Sequence, residues 1–547
     1  MDRRSFFLGS KVKNESRNAS TRTASGLSVY AGTFGKNELV HLLKRSLFGV
    51  RPSDVMTCLN KPLIEVVNLL LEKSPIPTQP VNTYNDAKYT DPLVAQGEIW
   101  TTAPYTDDTA NSRRYLSLKA WWAGLMLNQQ ISIHEKMVLF WHNHFATEMA
   151  VIGDARYAFK HNALLRTHAL GSFKNLLKQI TIDPAMLKYL NGYLNTKEAP
   201  DENYGRELQE LFTVGKGIDS HYTEDDVKSA AKILTGYRID DKLICSIFDD
   251  SSHDTSNKQF SAFYDSKIIL GQSGATGAKE LDDLMNLLLS EQETALNICR
   301  KLYRFFVYYI IDTDTEANVI KPLATILKNN NYQILPVLRT LFTSEHFFDT
   351  VNRGCIIKSP IDFTVGLCRE FDVIFPDKND IVNQYYMWHF IRTQADGMHQ
   401  NIGDPPNVAG WPAYYQAPQY HEIWINADTI GKRNELTDRL IGEGYTRRGK
   451  TIIIDVVALA KKMSNPSDVN SLIHDSLLLL YSMEISQASK NFLKSILLSG
   501  QTSEYYWTEA WNAYKVNPNN ITAKNIISSR LKVMFKYIMN MPEYQLS

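Results

Sequence analysis

The stretch Phe140-Trp-His-Asn-His-Phe-Ala-Thr-Glu148 sets His142, Asn143, His144 and Glu148 among aromatic residues. Imidazoles and a carboxylate this close in sequence suit either a metal site or acid–base chemistry. Local geometry decides which of them can cooperate. Met137, Val138, Trp141 and Phe145 recur at helical spacing, and Ser132-Ile-His-Glu135 has the form of a capping box. Together they predict a helix from near Ile133. At ~100° per residue His142 and His144 point about 200° apart, so they cannot share one ion unless the helix ends inside the motif. His144 and Glu148 are i and i+4, hence neighbours on the stripe of Met137, Phe140 and Trp141. A glutamate on an inward stripe must be paired or protonated. The plain alternative is a core histidine satisfied by that glutamate.

A second group lies in Ala199-Pro-Asp-Glu-Asn-Tyr-Gly-Arg-Glu-Leu-Gln-Glu210 and the residues after it. Pro200 and Asp201 suit a helix start and Gly215 its end, giving a helix over 202–214. Tyr204, Leu208, Leu211 and Phe212 form its apolar stripe. Glu207 falls at the stripe's edge, with Asn203 at i−4 and Glu210 at i+3, while Gln209 is expected to face solvent. Arg206 sits one turn from Glu202 and Glu210. Glu207 is therefore the carboxylate expected to be partly buried and shifted in pKa. A surface lattice of ion pairs is the competing account.

These residues define the candidates. Glu207, Glu148, His144, Arg206, Asn203 and Glu210 are the catalytic set, meeting in one cleft between helices packed side by side. His144, Glu148 and Glu207 would be the ligands if a divalent metal ion is bound, with zinc, iron or manganese suiting imidazole plus carboxylate. Without a metal, Glu207 would act as a general base held by Arg206 and Asn203. Three further candidates have strong structural alternatives. Asp226 closes a Thr223-x-x-Asp226 cap. His253 lies in a polar loop that either reaches a cleft or turns into solvent. Trp411, between Gly410 and Pro412, either plugs a core or lines a cleft.

Helical patterns dominate the elements that must carry these groups. They occur from Asn37 onward, at 112–130, 163–181, 224–235, 278–289, 293–311 and 335–343, and repeatedly after Asp455. A stretch near 239–275 alternates, carries turn residues and predicts a small β-hairpin between Asp249 and Gly271. The fold expected is mainly α, a large multi-helix orthogonal bundle with a small β-hairpin insertion. Its parts are a disordered tail over 1–36, a helical core over 37–440 and a C-terminal helical extension over 441–547 packed on that core.

The totals exclude several functions. Lys plus Arg and Asp plus Glu are 59 each, which gives no basic excess for nucleic acid. No apolar run reaches the ~18 residues of a membrane span. Five cysteines without a C-x-x-C pair argue against a disulfide scaffold or zinc knuckle. The P-loop, Rossmann, zincin and α/β-hydrolase signatures are absent. Arg3, Arg4, Phe6, Phe7 and Leu8 form a twin-arginine-like remnant, but polar residues follow where an export signal needs an apolar stretch. A cytoplasmic location is favoured, with export to the periplasm as the alternative.

Several stretches in order, LFWHNHFATE, IDPAMLKYLNG, ENYGRELQELFTVGKG, YTEDDVKSAAKILTGY, HDTSNK and PPNVAGWP, resemble a bacterial family known only as domain of unknown function 1800. The resemblance runs from about Asn37 to Arg433. It implies twin-arginine export in many relatives and a sulfatase-like protein encoded nearby as a partner, with no established activity. The chain departs from the pattern with Gly205 in place of alanine and Tyr237 in place of tryptophan. Two functions remain open. One is a hydrolase using inward His and Glu residues, with or without a metal. The other is a non-catalytic interaction or carbohydrate-binding protein acting with the sulfatase-like partner.

Overall fold

The computed structural model describes residues 22–217, 219–481 and 483–547. Helices dominate these residues, and the named strands pair only as three two-stranded antiparallel sheets. The mainly α expectation holds. No helix among the described residues is long and apolar enough to cross a membrane.

The longest helix, Asp108–Asn128, starts where Asp107 accepts a hydrogen bond from the Ala110 amide at 2.9 Å. It runs along Ile381–Gly397, a helix that no apolar stripe announces in the sequence. The two approach closely at Gly124, where a Cβ would lie 2.4 Å from the Trp388 ring. Only glycine fits that contact without displacing the indole.

Four local expectations give way, each for a physical reason. The helix carrying the histidines spans His134–His144, and Glu135 does not close a capping box. Its carboxylate pairs with the buried Arg166 guanidinium instead, because a buried charge gains more from an ion partner than from a backbone amide. The same helix stops at His144, where Phe145 takes φ −106° and ψ 60°. Glu148 then heads a separate short helix, Met149–Ile152, so the i, i+4 relation to His144 is lost. The single helix expected over 163–181 is two, Ala155–Thr167 and Phe173–Thr181, because Ser172 caps the second through the Asn175 amide at 3.4 Å. The first helix of the described chain begins at Lys36, one residue before the expected start at Asn37, with Gly35 at its cap.

The insertion holds two hairpins rather than one: Tyr237–Asp240 with Cys245–Phe248, and Lys258–Gln259 with Ile268–Ile269. A third pair, Tyr445–Arg447 with Lys450–Ile452, turns at Arg448 and Gly449, both at positive φ (50° and 75°). Two such residues in succession give the twist that a two-residue hairpin needs.

Residues 22–35, expected to be disordered, are tied down. Tyr30 N–H donates to Thr343 O at 2.8 Å, and Ser25 Oγ donates to Asp349 at 2.6 Å. The pairing satisfies backbone groups at 343–346 that would otherwise face outward. The twin-arginine-like residues Arg3–Leu8 lie outside the described residues. At the other end, Ile521–Asn540 packs on Ala427–Gly442 and on Tyr505–Val516.

Candidate functional site

Each polar residue of the opening motif holds a different neighbour. His142 is buried between the edge of Trp122, 5.1 Å away, and Trp411, 5.8 Å away. Burial first, then the nearby His161 and Lys119, depress its pKa to about 3. Asn143 Oδ1 accepts the Trp411 amide at 2.9 Å. Gly410, at φ +88°, lies so close that a Cβ would sit 2.2 Å from that same oxygen. Trp411 is 1% exposed, so it plugs the core.

His144 is also a brace. Its Nδ1 accepts from Lys301 Nζ at 3.0 Å, which fixes the ring proton on Nε2, and Nε2 donates to Phe212 O at 3.2 Å. Lys301 donates in turn to Leu211 O at 2.7 Å. Burial, then the Lys301 charge, hold His144 neutral, far below its usual range. Burial and Arg304 bring Lys301 down to about 7. Histidine and lysine together satisfy carbonyls at the end of the Glu207 segment, where a helix terminus presents unpaired oxygens.

That segment is not one regular helix. Glu202–Glu207 is α-helical and Leu208–Phe212 is a π-turn. The wider turn rotates the side chains it carries, so Gln209 points inward, against expectation. It is fully buried, donating to Gly205 O at 3.2 Å and accepting from the Tyr264 hydroxyl at 2.8 Å. Glu207 stands at the junction, half-buried, with Oε2 buried and unpartnered. Burial, then Glu210, raise its pKa. Glu210 is held by Lys216 and by the Tyr222 hydroxyl at 3.3 Å.

Glu148 is likewise half-buried, and burial followed by Asp404 raises its pKa. Asp404 comes from the proline- and glycine-rich loop and accepts the Met149 amide at 2.8 Å. Tyr189 is near enough to both carboxylates to feel their charge. Burial, then Glu148, then Glu207 push its phenol up to about 12, so one hydroxyl stands in the field of both. Tyr189, Lys301 and Asp404 carried no sequence signal. Tyr189 and Lys301 look like ordinary members of amphipathic helices, and Asp404 like a turn residue.

The other candidates go elsewhere. Arg206 does not hold Glu207. It clasps Glu224 at 2.6 and 2.7 Å and Glu202 at 3.2 Å, because the Glu224 carboxylate suits its planar fork. Asn203 is exposed and its amide reaches Leu190 O at 3.4 Å. Asp226 is fully buried and accepts from Thr223 N at 2.7 Å and from Ser261 N and Oγ at 2.6 and 2.7 Å. It caps its own helix and pins the insertion. His253 is neither in solvent nor in a cleft. It is 1% exposed, with Nδ1 on Thr235 and Nε2 on Glu280 Oε1 at 3.2 Å, and Lys258 holds the other oxygen of Glu280 at 2.6 Å. The insertion folds back on this buried triad, which explains why a polar sequence is internal.

The metal set does not fit. Among the described residues no three His, Cys, Asp or Glu side chains are grouped to hold an ion. The Nδ1 lone pair of His144, which a metal would need, already accepts the Lys301 proton.

What remains is a mainly helical protein with two half-buried carboxylates raised in pKa, Glu207 at the edge of a π-turn and Glu148 at the start of a short helix. The chain belongs to the family described as Protein of unknown function (DUF1800), whose pattern matches residues 41–546. The match runs on through the C-terminal helices. No curated protein and no solved structure matches the chain.

Proposed function

We propose that the protein is a hydrolase whose proton transfers run through Glu207 and Glu148. The observation that carries this reading is Glu207 Oε2, a buried carboxylate oxygen with no partner, on a group whose pKa is raised. An unpaired buried acceptor costs about 1–3 kcal/mol, and a structure retains it where it serves a purpose. In the protonated state Glu207 gives its proton to the leaving-group oxygen while Glu148 takes one from the attacking water. Tyr189 lies within the field of both and donates a hydrogen bond without ionising.

Two measurements test it. Carbodiimide attacks protonated carboxyls, so labelling of Glu207 followed by peptide mass mapping should persist to higher pH than labelling of exposed Glu98. Turnover on alkyl glycosides, alkyl esters and alkyl phosphomonoesters, whose leaving oxygens need a proton, should fall at least ~100-fold in Glu207→Gln and Glu148→Gln with the far-UV spectrum unchanged. Matching labelling profiles at Glu207 and Glu98, or full turnover in both variants, would end the proposal.

A further inference from the structure

A second site lies away from these carboxylates, in a cavity of about 40 Å³ where the helices Lys36–Ser46, His134–His144 and Gln292–Phe306 meet the segment 356–362 and the loop 413–424. Its wall is cationic. Lys44, Arg45, Lys136 and Arg304 all line it, against the Asp362 side chain and the main-chain carboxylate of Ser547, which forms an ion pair with none of them. Asp362 is taken by Lys136. Lys44 is drawn to buried Glu370 at 3.7 Å and donates to Leu480 O at 2.6 Å.

The two arginines have no such partner. Among the described residues neither forms an ion pair. Arg45 is 4% exposed, donates from Nη2 to Asn352 O at 2.7 Å, and leaves Nε buried and unpartnered. Arg304 donates from Nε to Tyr309 O at 3.3 Å and lays its guanidinium over the Tyr420 ring at 5.4 Å. A third donor faces the same space. His421 Nδ1 accepts the Ile357 amide at 3.2 Å, so its proton sits on Nε2, and Nε2 is buried with no acceptor. Behind Asp362 stand two more buried cations, Lys358 and Arg433, which feel the same carboxylate. Glu370, itself fully buried, answers Lys44 and Lys358 from behind the wall, but neither it nor Asp362 forms an ion pair with Arg45 or Arg304.

A buried guanidinium without a counter-charge, as at Arg45, is costly and is stabilised where an anion completes it. We propose that this cavity binds one small oxyanion, phosphate or sulfate, through Arg45, Arg304 and the Nε2–H of His421. The cavity has room for a single tetrahedral anion.

The test uses the full chain. Inorganic phosphate and sulfate are titrated calorimetrically at constant ionic strength, with chloride as the reference. One anion per chain is expected, with sulfate and phosphate competing. Arg304→Gln and Arg45→Gln should each weaken binding at least tenfold. Arg304 is partly exposed, so its variant keeps the test valid if Arg45→Gln fails to fold. Glycerol 3-phosphate is the remaining arm. Binding weaker than phosphate assigns the site to the free anion, and equal binding assigns it to a phosphoryl group on a larger ligand; both retain the oxyanion site. No heat beyond the chloride reference, or binding unchanged in Arg304→Gln, overturns it.

Discussion

Replacing His142 by glutamine tests how the histidine motif is held. In the fold His142 titrates at about 3, first because it is buried and then because His161 and Lys119 are near; free histidine titrates at 6.5. Between those values the unfolded chain binds a proton that the folded chain refuses. Stability is therefore full above pH 6.5 and falls as the pH drops through that value. Carried to about pH 5, some 1.5 units lower, the loss is ~2 kcal/mol. With ~2.1 cal/mol/K of unfolding entropy per residue, a chain of 547 residues shifts its melting temperature by about 2 °C for that loss. Other groups titrate in the same window. Buried His41 and His144 act in the same direction, while the raised carboxylates Glu148 and Glu207 oppose them. They are common to wild type and His142→Gln, so the difference between the two proteins isolates His142. Differential scanning fluorimetry at about pH 8 and about pH 5 should show wild type losing ~2 °C more than the variant. Identical pH dependence would mean that His142 takes up its proton inside the fold, and the account of a buried neutral ring between two indoles would be wrong.

Three more substitutions probe the braces. His144→Ala leaves Phe212 O and Lys301 Nζ each short of a partner, and urea titration should show a loss of about 3 kcal/mol; a change under about 0.5 kcal/mol refutes the brace. Gly410→Ala sets a Cβ against Asn143 at positive φ, so a fall of about 2 kcal/mol or more in the same titration is expected, with the Trp411 plug loosened and its fluorescence shifted to the red. Asp226→Asn keeps the shape but sets an NH2 donor where one carboxylate oxygen accepted, so it loses either the Ser261 amide or the pair Thr223 N and Ser261 Oγ, and limited proteolysis within residues 237–271 should quicken; unchanged cleavage would free Asp226 of its clasping role.

Periodicity made the helices legible because most bury one apolar face against a neighbour. Leu176, Leu177 and Ile180 in Phe173–Thr181, or Val227, Ala230 and Ala231 in Glu224–Ile233, are such stripes. It failed where a helix is packed on most of its surface. In Ile381–Gly397 buried Tyr385, Met387, Trp388, Phe390 and Ile391 spread around the axis, and no single stripe marks it. It failed also where a side chain leaves its local partner for a distant one. Glu135 reaches Arg166 rather than its own cap, and His253 reaches Glu280 from within a string of turn residues. Those partners are 31 and 27 residues away, beyond any local pattern.

The same limit separates histidine from carboxylate at the candidate site. A histidine next to a glutamate in sequence suggests a proton relay, but a relay needs a ring nitrogen free to exchange its proton. His144 has none, since a main-chain carbonyl, which can only accept, takes the proton on Nε2 and Lys301 occupies Nδ1. Glu207 is the reverse case. Its Arg206 neighbour, which a helical wheel would give it, is drawn off by Glu224, and the π-turn beyond it carries Gln209 inward and away. The residue is left raised in pKa with an oxygen that nothing in the described chain satisfies. Groups that are fully bonded hold a fold together; a buried group left unbonded is stabilised only by what binds to it. By that criterion His144 belongs to the scaffold, and the search for a substrate starts at Glu207.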